Sequence, residues 1–367
     1  MNGPARNWTD VRRVLCIRLD NMGDVLMSTP AIRALKQGGR HVTLMTSPSG
    51  GALADHLPDV DDVIVYEAAW MKTDQRGCQN DLAMLARLRA ARFDAAVIFT
   101  VYSQSALPAA MMCHLAGIAR VLAHVRENPY QLVSNWVRET EPAEQVRHEV
   151  QRQLDLVAHV GAVPSDTRLS FHIREQDHRE ADRVLHAAGV SESHGWIALH
   201  SGATAPSRRY PEDQYARALT LLRGEGRRIL LLGGTQDADL KGHLAPYRQH
   251  LPGLIDLCGA LSLGALASVI GRSSVLICNN SGPAHIAAAL DVPIVDLYAL
   301  TNPQHSPWRA THRLLFHDVP CKHCYKSVCP EGHHACLTGV SPARVAQAAS
   351  ALIAHVPAVR APMGISL

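Results

Sequence analysis

Four stretches of this 367-residue chain carry side chains suited to chemistry, each where an apolar run gives way to a turn. In the first, Asp24 follows Gly23 at a strand-to-helix junction, with Asp20 one helical turn before it. A carboxylate there either caps the helix or faces a cleft as a general base and takes a proton from an acceptor hydroxyl. In the second, residues 200–211, a glycine- and hydroxyl-bearing loop containing Thr204 leads into Arg208 and Arg209. Hydroxyl and backbone donors followed by a guanidinium suit a phosphate; an exposed loop with a solvated arginine pair is the alternative. The third is Asn279-Asn280-Ser281-Gly282, ahead of Pro283 at a suitable first position for a short helix that runs to Leu290. The free N–H groups and positive dipole end of such a helix can hold a phosphate or diphosphate, and Gly282 allows close approach. Its alternative is a plain strand–helix–strand unit with a capping serine. The fourth is Gly233-Gly234 leading to Gln236 and Asp237, which resembles the start of a nucleotide pocket with low specificity. No GxxxxGK[ST] loop occurs and no GxGxxG follows a strand, which argues against a P-loop nucleotidase and a nicotinamide dehydrogenase.

Four of the nine cysteines crowd into residues 320–336: Cys321, Cys324, Cys329 and Cys336, in C-x2-C-x4-C-x6-C spacing. Four thiols so spaced in a chain expected in a reducing compartment fit a small tetrahedral site for Zn²⁺, with iron as an alternative. His323, His333 or His334 could replace one thiol, and a reduced, merely structural cluster is the competing reading. The other five cysteines are scattered, three of them in apolar runs where a buried free thiol is ordinary. Two weaker candidates are the loop at Trp70-Met71-Lys72, which could touch a sugar-bearing or apolar acceptor, and Glu127-Asn128-Pro129-Tyr130, which reads first as a plain turn.

The elements that must position these residues follow an alternating pattern. Strands are predicted at 11–19, 41–46, 63–66, 95–99 and 121–124, with helices at 25–37, 51–56, 80–91, 104–115 and 149–160. Residues 161–173 read as an inter-domain linker. The pattern then restarts, with strands at 196–200, 228–232, 254–257, 275–277 and 294–298 and helices at 175–188, 211–223, 237–243, 263–270, 284–290 and 341–355. Such repetition predicts an α/β protein of two doubly wound parallel-sheet domains, with ligands at the carboxyl ends of strands. Composition, 47% hydrophobic and 19% charged, is that of a globular protein, and a net charge of +3 gives no argument for nucleic acid. No apolar run approaches a membrane span, and the N-terminal residues lack a signal-peptide core, so a cytoplasmic location with at most peripheral membrane contact is expected.

Ile17 to Leu26 together with Thr29-Pro30-Ala31 resembles the N-terminal motif of glycosyltransferase family 9, the ADP-heptose–lipopolysaccharide heptosyltransferases. The loop ending Ser207-Arg208-Arg209-Tyr210-Pro211, the glycine turn at 231–235 and Asn280-Ser281-Gly282-Pro283-Ala284-His285 are similar to family segments in the same order. The resemblance implies a GT-B architecture, two Rossmann-like domains facing a cleft. Residues 1–165 would lie on the acceptor side and 174–340 would bind the nucleotide sugar, with the last helix, 341–356, able to pack back on the first domain. It implies inversion at the anomeric carbon, with Asp24 matching the catalytic base. Arg208 stands where the family usually has a lysine on the diphosphate. Thr204, Arg209, Ser281, Gly282 and His285 fall on the donor side, Gly234, Gln236 and Asp237 near the ribose and base, and Asn21, Met22 and Gly23 on the acceptor side. Asn280 is a departure: the family commonly has Asp there, touching the donor sugar, and Asn keeps hydrogen bonding while removing a charge. The implied partners are a nucleotide-diphospho sugar, ADP-heptose first, and a saccharide acceptor such as lipopolysaccharide core. Another donor sugar, a natural-product or protein acceptor, or a non-catalytic nucleotide-sugar binder are the alternatives. No organic cofactor is implied, and Mg²⁺ is not required. In a protein-modifying branch the cysteine segment resembles an iron-binding finger.

Overall fold

A computed structural model describes residues 8–71, 77–190, 195–224, 228–234 and 253–355. The chain divides between His172 and Ile173 into two compact units. In the first, β1 (Arg13–Arg18), β2 (His41–Thr46), β3 (Asp62–Val65), β4 (Ala95–Ile98), β5 (Arg120–Val125) and β6 (Asn135–Arg138) form one sheet in the order β3-β2-β1-β4-β5-β6. In the second, β7 (Trp196–His200), β8 (Arg228–Leu231), β9 (Leu254–Asp256), β10 (Val275–Asn279), β11 (Ile294–Leu297) and β12 (His312–Leu315) repeat it as β9-β8-β7-β10-β11-β12. Every pairing is parallel. The central strands earn their place by being apolar on both faces, as β10 is, with all five residues buried. In this strand order the chain reverses direction across the sheet between β1 and β4, and between β7 and β10. Ligands bind outside the strand ends at such switch points.

Two short edge strands, β6 and β12, escape the sequence pattern because each has four residues and mixes polar with apolar side chains. Helix α1 (Met22–Gln37) follows β1 and runs through Pro30. Pro30 cannot donate to the Leu26 carbonyl, and the Thr29 hydroxyl donates there instead at 2.7 Å. Thr29 Oγ1 in turn accepts from the Ser170 N–H at 2.9 Å, and Arg33 donates to the carbonyls of Asp166 and Arg168 at 2.8 Å each. Most of the expected linker is thus fastened to the first unit. Its remaining helices are α2 (Pro48–Gly51), α3 (Gln79–Ala91), α4 (Leu107–Leu115) and α5 (Glu149–Ala158). The second unit carries α6 (Glu175–Ala187), α7 (Glu212–Gly224), α8 (Leu263–Gly271), α9 (Gly282–Ala289), α10 (Ala335–Thr338) and α11 (Pro342–Ala354). The helix expected at 237–243 lies outside the described residues. The apolar stripe of helix α11, Val345, Ala349 and Leu352, is buried in the second unit's core with Leu219 and Leu222 of α7.

Candidate active site

Strand β1 ends in Arg18, whose side chain is fully buried and reaches three carboxylates: Asp20 at 2.9 Å, Glu149 of α5 at 2.9 Å and Asp24 at 3.3 Å. Burial works against the guanidinium charge, but these acids outweigh it and hold the group protonated. Asp24 stands in the first turn of α1, where one oxygen accepts the Asn21 N–H at 3.2 Å and the other meets Arg18. One carboxylate thus caps the helix and pairs with Arg18, and its side chain keeps 15% exposure. Asn21 and Met22 open the helix, with the Met22 N–H donating to Ser49 Oγ at 3.2 Å, and Gly23 is half-buried between them and Asp24. Burial pushes the Asp20 carboxyl above its ordinary value; Arg18 opposes the shift and the Asp24 charge adds to it. Asp20 is also fixed by Gln104, which donates to it at 2.6 Å while accepting the Val101 N–H at 3.3 Å.

The network continues beneath. Glu149 accepts from Gln153 at 2.9 Å, and Arg152 pairs with Glu139 and donates to the Thr100 carbonyl. His124 contacts the Arg152 carbonyl, and burial, helped by the Arg152 charge, pushes its imidazole down to about 3. Sequence reasoning missed Arg18, Glu149 and Arg152; an arginine closing an otherwise apolar strand was the available signal. Above the network, at the β1/β4 switch point, lies a cavity of about 340 Å³ lined by Asp20, Thr100, Gln104, Trp70, Met71 and Phe99. Trp70 leans edge-on against Tyr66, with ring centroids 5.8 Å apart, and the Tyr66 hydroxyl donates to Asp81 at 2.6 Å. Thr100 Oγ1 is buried with no hydrogen-bond partner among the described residues. An aromatic wall over a few placed polar groups suits a small polar ligand. Trp70 and Met71 belong to this site, whereas Asn128 accepts the Tyr130 N–H at 2.9 Å in a plain turn.

The second unit's switch point is furnished differently. The loop after β7 closes in a 3₁₀ turn, Pro206–Arg208, and Arg208 donates to Asn302 Oδ1 at 3.3 Å. Arg209 is exposed and donates to the Ala203 carbonyl at 2.8 Å, and Thr204 is exposed. Buried Asn279 ties this loop to β10: its amide donates to the Ser201 carbonyl at 2.7 Å and accepts from the Tyr210 N–H at 3.1 Å and the Tyr215 hydroxyl at 3.0 Å. Asn280 is buried with its amide against the Tyr298 phenol. The Ser281 hydroxyl donates to the Asn279 carbonyl at 3.1 Å, so α9 begins at Gly282 without a side-chain cap, and its first N–H groups carry the helix's positive end. His285 is buried in the same helix. Gly234 follows β8, while Gln236 and Asp237 lie outside the described residues.

After β11, Thr301 Oγ1 and Gln304 Oε1 are buried with no partner among the described residues, as is the whole carboxyl of Asp296 on that strand. Burial pushes Asp296 well above the carboxylate range, against the opposing charge of Arg208. Asp296 escapes the sequence reading because residues 294–298 look like an apolar strand, with the acid at its centre the visible signal; Thr301 and Gln304 lie in the loop beyond it, which carries no motif. The four thiols of the cysteine segment are partly exposed. Burial raises Cys336, and charge on Cys329, Cys324 or Cys321 would raise it further. The His333 ring stands 3.9 Å from the Cys321 sulfur. The donors have the right chemistry for Zn²⁺ or iron, but no three His, Cys, Asp or Glu side chains among the described residues stand ready around a metal position.

Two parallel sheets of the same doubly wound strand order define a protein of two Rossmann-like domains. Residues 82–335 match glycosyltransferase family 9 (heptosyltransferase), and the chain belongs to that family. The lipooligosaccharide heptosyltransferase 2 of Campylobacter jejuni is 22% identical over 341 residues, 90% of this chain and 95% of that protein. A glycosyl transferase family 9 structure from Veillonella parvula has a TM-score of 0.78 at 21% identity, covering 94% of this chain and 98% of that one. The E. coli ADP-heptose lps heptosyltransferase II gives 0.72 at 22% identity, with 93% and 98% covered. At these identities the two structures establish the fold. No helix among the described residues is long and apolar enough to cross a membrane.

Proposed function

We propose that the protein is an inverting transferase that moves heptose from ADP-heptose onto a saccharide such as lipopolysaccharide core. The observation that carries this reading is the contrast between the two switch points. Asp24 is a partly exposed carboxylate held by Arg18, and Arg208 stands in the unit whose helix α9 opens without a cap. In the reaction, Asp24 takes the proton of the acceptor hydroxyl as its oxygen attacks the anomeric carbon from the face opposite the leaving group. The anomeric C–O bond breaks, its electron pair leaves with ADP, and Arg208 and the α9 N–H groups stabilise the charge that builds on the diphosphate. Such stabilisation is commonly the largest catalytic contribution. This assignment uses neither Mg²⁺ nor an organic cofactor. Asn280, buried and uncharged, favours a second reading within the same chemistry: another nucleotide sugar, or a natural-product or protein acceptor.

The same proposal includes a structural Zn²⁺ or iron ion held by Cys321, Cys324, Cys329 and Cys336, a thiolate set that would staple the segment and take no part in transfer. A cytoplasmic location with peripheral contact at the inner membrane face suits the acceptor. Replacing Asp24 by Asn tests the central assignment. ADP binding should persist while ADP release from ADP-heptose, with a core saccharide as acceptor, falls by about 10²–10⁴-fold. Undiminished turnover would remove Asp24 from the base role.

A further inference from the structure

We propose that residues 320–336 are a positioning element of the diphosphate site, joined to it through Ser207 and His334, so that the four thiols and the nucleotide sense one another's state. The inference rests on the reading above that ADP binds beside Arg208. Ser207 sits inside the turn that ends at Arg208 and is only 4% exposed. All three of its polar groups turn to the cysteine segment. Its N–H donates to the Ser327 carbonyl at 3.0 Å, its hydroxyl donates to the Lys326 carbonyl at 2.7 Å, and its carbonyl accepts from His334 Nε2 at 2.6 Å. A carbonyl can only accept, so Nε2 carries the proton.

The other support of Arg208 hangs on the same segment. Its side chain donates to Asn302, and the carbonyls of Leu300 and Thr301 just before accept from the His323 N–H at 2.6 Å and the Tyr325 N–H at 3.2 Å. Cysteines bracket each of these contacts: His323 and Tyr325 flank Cys324, Lys326 and Ser327 lie between Cys324 and Cys329, and His334 comes two residues before Cys336. The segment has little regular structure to hold its shape. His323, Tyr325 and His334 all sit at left-handed backbone angles, φ 61°, 55° and 52°, which non-glycine residues adopt only when surrounding contacts fix them. Opening the segment therefore releases the turn that presents Arg208, and fixing that turn holds the segment closed. Coupling of this kind is reciprocal.

The test measures both directions on the full-length protein as purified. Alkylation of individual cysteines by iodoacetamide, followed by mass spectrometry, should slow about fivefold or more at Cys324 and Cys329 when ADP saturates the protein. Cys78, exposed and in the first unit, should react at an unchanged rate. Ser207→Ala and His334→Ala should each weaken ADP binding about fivefold or more and abolish the protection of Cys324 and Cys329 even at saturating ADP. Wild-type protein that binds ADP but alkylates at the same rate with and without it would overturn the proposal, and this arm needs no variant to fold. Wild-type ADP affinity in both variants would also overturn it. Failure of the wild type to bind ADP in calorimetry would instead bring down the donor reading, and this inference with it.

Discussion

The ends of β1 and β7 occupy the same place in the same strand order, yet one is built around a buried cation and the other around a buried acid. At β1, Arg18 is enclosed by Asp20, Asp24 and Glu149, and every charge has a partner before any ligand arrives. Around β7, β10 and β11, Arg208 has one amide partner in Asn302, while Thr301 Oγ1, Gln304 Oε1 and the Asp296 carboxyl are buried with none among the described residues. Buried polar atoms are nearly always hydrogen-bonded, so these atoms, like Thr100 Oγ1 in the first crevice, stand open to a further partner. The first crevice holds the Asp24 carboxylate in one orientation through Arg18; the second holds its cation by a single amide partner.

That difference predicts where each crevice is fragile. Replacing Glu149 by Leu leaves Arg18 short of its one fully buried partner and should cost about 3 kcal/mol in denaturant unfolding, the low end for breaking a buried pair because Asp20 and Asp24 remain. An unchanged unfolding midpoint would show the network to be dispensable. Replacing Arg208 by Ala should leave stability nearly untouched but lose about 1.5–3 kcal/mol of ADP binding, read by calorimetry. If the stability loss fell on Arg208 and the binding loss on Glu149, the comparison would be reversed.

One buried group in each region, His124 and Asp296, should respond to pH in opposite senses. Burial, with the Arg152 charge, lowers His124 from 6.5 to about 3. The unfolded chain therefore binds a proton there that the folded one refuses, and stability should fall as pH drops from 6.5 toward 3. Asp296 is raised from 3.8, so the folded chain keeps a proton that the unfolded one has shed. Stability should then fall as pH rises above 3.8 toward the raised value. In unfolding measured against pH, Asp296→Asn should flatten the second decline and His124→Gln the first. Identical profiles in the variants and the wild type would contradict both assignments.

Much of this was legible in the sequence because it is local. Apolar runs ending in turns located β1, β7 and β10, and Asp24, Arg208 and Ser281 were found as residues that follow strands. The supports were not legible, because they join distant parts of the chain: Glu149 lies 131 positions from Arg18, and Lys326 lies 119 from Ser207. Helix α5 read as an ordinary amphipathic helix, although the face it buries carries Glu149, Arg152 and Gln153. Periodicity tells which face is polar, not that a polar face is the buried one. The same limit hid Thr100, whose hydroxyl matters only because β4 lies beside β1.

The proposed function makes the second crevice a site for ADP. Calorimetric titration of the wild-type protein with ADP, UDP and GDP tests it most directly. A donor site for ADP should bind ADP saturably and at least tenfold tighter than UDP or GDP, a difference of about 1.4 kcal/mol. Equal or tighter binding of UDP or GDP would contradict the donor assignment, with Asn280 the first residue to re-examine, and no binding of any of the three would contradict the transferase mechanism itself.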